Sequence, residues 1–326
     1  MKADRFIVRI GKAATTGFFC VFACSASAQN FPTRTITAIY PFAAGGASDV
    51  QLRSMFGEAA KTLGQSIVIE NRPGAGGRLG VMAVQRATPD GHMIALATDS
   101  ALTVVPNASP TFTAQPGRDY APVHQTFGYS QVIVSQARLP FKDAKGWIEY
   151  AKANPGKLNY SSQGIGGSQH LYMEQILPIL GIEMTHIPYG TAQQLTDIAS
   201  GTIDMTVFTG GPLKPLVDAG KLNALVWTSP LRQRMFPNAP TLKEMGYNLG
   251  LQGWVGIVTA PGTPADVVAK LNAALNAAQK LPEVEKRFTD AGYELFFSTP
   301  QAFAAQIRAD LDAFGPVVRR LGLKFD

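Results

Sequence analysis

The stretch YPFAAGGASD, residues 40–49, sets the end of an apolar run against paired glycines and then a serine and an aspartate. Just upstream, TITAIYPF (35–42) is rich in strand formers, and downstream Leu52, Met55, Phe56, Ala59 and Leu63 recur at the spacing of one helix face. SIVIEN (66–71) reads as the next strand. A strand, a glycine turn, a helix and a strand in that order make a βαβ unit with parallel strands, which places the chain in the α/β class. A helix that opens on such a turn offers unpaired backbone N–H groups and the positive end of its dipole, the makings of an anion site. A P-loop would carry G-x-x-x-x-G-K-[ST], and here no lysine follows either glycine, so a carboxylate is the first candidate anion. The turn comprises Phe42, Ala43, Ala44, Gly45 and Gly46, with Ser48 or Asp49 at the capping position. Glycines so placed also serve a tight β–α turn that binds nothing.

A second unit of the same kind lies more than a hundred residues on. KLNYSSQ (157–163) reads as a strand, GIGGS (164–168) as a turn, SQHLYMEQILPIL (168–180) as a helix that Pro178 should kink or end, and MTHIPY (184–189) as a strand. Two such units predict two α/β domains, each presenting one helix N-terminus. If the turns face each other across a cleft, they hold the two ends of a dicarboxylate or grip one carboxylate from two sides. The C-terminal third follows the strand WVGIVTA (254–260) with helices. Thr263-Pro264 should cap one carrying Val267, Leu271, Leu275 and Ala278, and Thr299-Pro300 one carrying Phe303, Ile307, Leu311, Phe314 and Val318.

The N-terminus sets the compartment. Lys2, Arg5, Arg9 and Lys12 precede the apolar run 18–23, and ASA at 26–28 supplies a small-residue cleavage site, so residues 1–28 read as a cleavable secretory signal. The run is too short to span a bilayer. Cys24 offers a competing lipid-anchoring site. Both cysteines fall in this leader, which leaves the mature chain without thiol chemistry, disulfides or cysteine metal ligands. Losing its four basic residues and Asp4 lowers the formal charge from +6 to +3, and the remaining Lys and Arg are scattered, so no nucleic-acid surface is expected.

The segments FPTRTITAIYPFAAGGASDVQLR, IENRPGAGGRLG, ATPDGH, KANPGKLNYSSQGIGGSQHL, THIPYGTAQQLTDIASGTIDM, AGKLNALVWTSPLR and APTLKEMGY resemble, in order and spacing, the solute-binding family of tripartite tricarboxylate transporters, the Bug proteins. The resemblance runs from about Phe31 almost to the C-terminus. It implies a two-domain periplasmic binding protein of the type II, Venus-flytrap class with a ligand cleft between its domains. It also implies capture of a small organic acid, a mono-, di- or tricarboxylate, for delivery to a membrane permease. Carried over motif by motif, it makes Phe42, Ala43, Ala44, Gly45, Gly46, Ser48 and Asp49 first-domain contacts, and Ser161, Ser162, Gly164, Gly167, Ser168 and His170 second-domain contacts. The strand end ATDS adds Thr98, Asp99 and Ser100, and Tyr189 stands at the family's P-Y position. Asp49 caps a helix or meets ligand, Asp99 makes a loop hydrogen bond or selects ligand, and His170 donates to the ligand or packs.

Two departures bear on the ligand. The family's lysine after P-Y is missing from PYGTAQ, and Thr209 follows Phe208 where many relatives carry an aspartate, which disfavours an amino-acid ligand and favours a plain or aromatic acid. The expected organisation is domain 1 from 29–129 and 251–326 and domain 2 from 130–250, in a monomer joined by two crossings. No cofactor is expected. The rival classes are a periplasmic α/β enzyme and a sensor-linked ligand binder. GAGGRLG (74–80) resembles a dinucleotide-binding pattern, but Arg72 and Pro73 break the strand-to-turn junction. Neither a Y-x-x-x-K pair nor a G-x-S-x-G elbow occurs, and His92, His124, His170 and His186 lack metal-ligand spacing, so no catalytic or metal site is expected.

Overall fold

A computed structural model of the chain describes residues 31–42, 44–45, 48–72, 77–189 and 193–324. The expected leader, Ala43, Gly46, and Gly74 and Gly76 of the 74–80 run lie outside the described residues.

The opening stretch builds the first sheet. β1 (Ile36–Tyr40) leads through α1 (Asp49–Leu63) to β2 (Ile67–Asn71), which pairs parallel with β1 from Ile36 opposite Ile67 to Tyr40 opposite Asn71. Leu52, Met55, Phe56, Ala59 and Leu63 form the buried face of α1, and Gly64 ends the helix at φ 73°, a left-handed conformation that glycine adopts without strain. Next, α2 (Arg78–Gln85) carries the chain to β3 (Met93–Thr98), parallel to β1 on its other side. A π-helical turn (Ser100–Val104), for which the residue pattern offers no signal, and the short α3 (Val105–Ala108) precede β4 (Ala121–Tyr129).

The chain then passes through Ser130 alone into a second sheet. It runs β5 (Gln131–Gln136), α4 (Ala144–Ala153), β6 (Asn159–Ser162), α5 (Ser168–Leu180), β7 (Thr185–Pro188), α6 (Gln193–Ser200), β8 (Met205–Thr209), α7 (Gly210–Asp218) and β9 (Leu222–Trp227). Pro178 lies inside the last turn of α5, and the helix continues to Leu180 before Gly181 ends it. The return segment ends at β10 (Gly253–Thr259), and α8 (Ala265–Gln279), α9 (Pro282–Asp290), β11 (Tyr293–Leu295) and α10 (Pro300–Arg320) complete the chain. Strand order is β11-β4-β10-β3-β1-β2 in the first sheet and β7-β6-β8-β5-β9 in the second.

One C-terminal expectation is extended and another corrected. On α8 the expected face of Val267, Leu271, Leu275 and Ala278 packs on the core but Val268, which the expectation left out, is more deeply buried than Val267, and Thr263 does not cap that helix: Pro264 holds the N-cap position and the Thr263 hydroxyl donates to the Ala260 carbonyl, 2.7 Å away. Thr299 does cap α10, accepting from the Ala302 amide at 3.1 Å. Phe303 and Ile307 of α10 pack in the core of the first sheet, Phe303 against Gly256, where any Cβ would collide with its ring. Two turns on, Phe314 and Val318 pack with the residues that cover the second sheet. One helix thus straps both sheets.

Candidate functional site

Strand direction fixes where the glycine turns lie. β10 is antiparallel to both β3 and β4, so β1, β3 and β4 all end at one edge of the first sheet, the edge from which Tyr129 leaves. In the second sheet β5 is antiparallel to β8 with Gln131 opposite Thr209, and β6 and β7 run parallel to β8, so these strands end beside the point where the chain enters. Both turns therefore sit at the carboxyl ends of strands, on the edges joined by the crossing. Such edges hold the ligand sites of open α/β sheets.

In the second sheet the turn is braced by its own polar side chains. Gly164 and Gly166 adopt φ 131° and 77°, and the Gly167 amide donates to the Gly164 carbonyl at 3.3 Å. Ser162 is fully buried: its hydroxyl accepts from the Gly164 amide at 3.2 Å and lies 2.7 Å from His186 Nε2. Ser161 is also fully buried and donates to Thr206 at 2.8 Å. The Gly166 amide donates to His170 Nδ1 at 3.1 Å, so this nitrogen carries no proton and the neutral ring is protonated at Nε2. The His170 and His186 rings stack with centroids 4.1 Å apart, and Tyr160 stacks on the far face of the pair. Burial lowers the pKa of both histidines, and His170 beside it helps bring His186 to about 4, so the pair is neutral at pH 7. Tyr189 donates from its hydroxyl to Asp197 at 2.8 Å and from its amide to the Ser162 carbonyl. Gly164, Gly167 and Ser168 are half-buried, the accessible part of the turn.

Turning to the first sheet, Phe42, Ala44 and Gly45 are exposed while Ser48 and Asp49 are buried. Ser48 occupies the N-cap position without making a capping bond, and its hydroxyl pairs with Tyr40 at 3.0 Å instead. Asp49 Oδ2 accepts from the Gly45 amide at 3.1 Å and from Arg53 at 3.0 Å. Burial pushes the Asp49 carboxyl up, but Arg53 and the Gly45 amide together hold it below the usual carboxylate range. Asp49 thus fastens the turn.

Asp99 has a different setting. It is 3% exposed, and its Oδ1 accepts from the Ser100 amide at 2.8 Å and from the Tyr129 hydroxyl at 2.9 Å. Tyr172, from α5 on the other sheet, also hydrogen-bonds it, so Asp99 ties the two halves together. Burial raises its pKa to about 7 against the pull of the Ser100 and Tyr129 bonds. The same tyrosine, Tyr129, reaches Ser168, which also accepts from Gln131 at 3.3 Å. Thr98 accepts from the Ala101 amide at 3.2 Å. Thr209, at the end of β8 opposite Gln131, lines a groove of about 1010 Å³ with Ser130, Gly210 and Gly211 on one side and Thr289 and Tyr293 on the other. Tyr129, Gln131, Tyr172 and His186 are the participants that the sequence did not single out. Their signals were slight: Gln131 adjoins the crossing, Tyr172 lies one helical turn from Ser168, and His186 falls within T-H-I-P-Y.

Two α/β sheets joined by a crossing, with a glycine turn on each joined edge, define a periplasmic-type solute-binding protein. The chain matches the Tripartite tricarboxylate transporter family receptor over residues 52–323 and belongs to that family. It is a family of transporter receptors rather than enzymes. The fold is similar to that of the periplasmic binding protein BugD, with TM-score 0.74 and 29% identity over 90% of this chain and 99% of that one. MatC from Rhodopseudomonas palustris, solved with bound malate, is similar at TM-score 0.73 and 29% identity over 88% of this chain and all of that one. A second R. palustris protein, solved with adipate, is similar at TM-score 0.76 and 26% identity over 90% and 99%.

Proposed function

We propose that this receptor captures a small carboxylate between its two sheets in the periplasm and delivers it to the membrane permease of a tripartite tricarboxylate-type transporter. The observation that carries this reading is the placement of both glycine turns on the joined edges, each opening a helix N-terminus. We assign residues 29–129 and 251–326 to one domain, 130–250 to the other, and residues 1–28 to a cleaved signal, and we assign the mature protein a monomeric state. Backbone amides of the 42–46 turn meet one end of the ligand, and those of the Gly164–Ser168 turn meet the other. The buried hydroxyls of Ser48, Ser161 and Ser162, the Asp49 carboxylate and the His170 ring act by holding those turns in shape. Tyr189 and Thr209 border the site. Thr209 offers no charge to an amino group, and the relatives solved with malate and adipate carry dicarboxylates, so a plain dicarboxylate is the favoured class.

A thermal-shift screen tests this, with malate, adipate, citrate, nicotinate, benzoate and glutamate as probes. A ligand that binds only the native state stabilises it by about 2.7 kcal/mol at a hundredfold excess over Kd. Malate, adipate or an aromatic acid should raise the melting temperature, glutamate should not, and mass spectrometry should recover each hit unchanged. A chemically altered hit would contradict the receptor reading, and a response to glutamate alone would overturn the argument from Thr209.

A further inference from the structure

A separate, partly open pocket of about 310 Å³ lies where the crossing segments meet α10. Asp99 and Asp310 both line it, and Tyr172, Trp254, Phe296 and Phe314 supply aromatic walls. No lysine, arginine or histidine lines it, and among the described residues neither carboxylate takes part in an ion pair. Asp310 accepts at both oxygens, from Trp254 Nε1 at 2.6 Å on Oδ2 and from Gln306 at 3.0 Å on Oδ1. Two acceptor oxygens facing two neutral donors is the pattern of an ionised carboxylate. A partly buried charge met only by neutral donors is costly unless a counter-charge arrives, and an aromatic cage favours an organic cation over a strongly hydrated metal ion. The volume is at the small end of the range of small-molecule pockets.

We propose that this cavity binds a small organic ammonium, held between the Asp99 and Asp310 carboxylates against the faces of Trp254, Phe296 and Phe314. Its lining includes Asp99 but no residue of either glycine turn, so the proposal stands whether or not the carboxylate reading holds. Since Asp99 also bonds Tyr129 and Tyr172, a bound ammonium engages the junction between the two sheets.

Titration calorimetry on the mature protein, with benzylammonium chloride as probe and benzyl alcohol as its uncharged counterpart, tests the site. At about pH 8 and fixed ionic strength, benzylammonium should bind saturably and the alcohol should not. Acidification to about pH 5.5 should weaken binding roughly tenfold in the unaltered protein, because the Asp99 carboxyl gains a proton. Tyr172, which lines the cavity, and Tyr129, which bonds Asp99, stay neutral across this range, and Asp310, whose pKa burial also raises, shifts the response in the same direction. Asp310→Asn, which preserves shape, should weaken binding about tenfold or more. Equal binding of the alcohol, absence of benzylammonium binding, or binding indifferent to pH and to Asp310→Asn would each overturn the proposal. Because the carboxylate screen uses anionic probes, the two readings succeed or fail separately.

Discussion

Ser162 shows how a hydroxyl beside a glycine turn can serve the turn before any ligand. On sequence it is a polar contact for the ligand, yet it is fully buried, accepts from the Gly164 amide and adjoins His186. Ser162→Ala leaves that amide and the imidazole nitrogen without their partner, so it should cost about 1–3 kcal/mol of stability as well as affinity. Urea denaturation checks this, and an unchanged midpoint would mean that the hydroxyl is dispensable to the turn. Gly45 and Gly164 were legible from the sequence because left-handed backbone at a strand-to-helix turn demands glycine. The roles of Tyr129, Tyr172 and His186 were not, because each works through a partner distant in sequence, and spacing along the chain carries no information about such pairs.

At the scale of elements, local chemistry predicted helix faces well and caps unevenly. Thr263-Pro264 and Thr299-Pro300 are the same dipeptide before an apolar helix, but the first hydroxyl turns back to Ala260 while the second caps α10. Thr299→Ala should therefore cost about 0.5–2 kcal/mol in thermal denaturation, the usual worth of such a cap, whereas Thr263→Ala loses a turn hydrogen bond without uncapping α8. Equal helical fraying of α8 and α10 in the two variants, followed by hydrogen exchange, would contradict the distinction. The βαβ units were legible because period-2 and period-3.6 patterns alternate cleanly around the glycines. The π-helical turn after Asp99 was not, since its residues are apolar and buried without a distinctive spacing. The reach of α10 across both sheets was hidden for a related reason. Phe303 and Phe314 belong to one apolar stripe, and nothing in a stripe says that it meets two different cores.

For the whole molecule, buried ionisable groups set an opposed pH dependence. His124 and His186 ordinarily titrate near 6.5 but are held near 4 in the folded protein, chiefly by burial. The unfolded chain therefore takes up their protons first, and the stability they contribute is full above about pH 6.5 and lost as pH falls through about 4. Asp99 runs the other way: its proton is held to about pH 7 in the native state and released near 3.8 when unfolded, so its contribution is full below 3.8 and lost as pH rises through 7. Asp99→Asn should remove the second contribution and make stability rise more steeply between about pH 4 and 7 than in the parent, as read from urea denaturation at a series of pH values. Parallel curves would place the Asp99 titration elsewhere. Function turns on the ligand held between the sheets. The most direct measurement is a diffraction structure of the mature protein with the strongest acid from the screen. The ligand carboxylates should lie within hydrogen-bond distance of backbone amides in both the 42–46 turn and the Gly164–Ser168 turn. A ligand seated away from both turns, or held by one sheet alone, would contradict capture between the sheets.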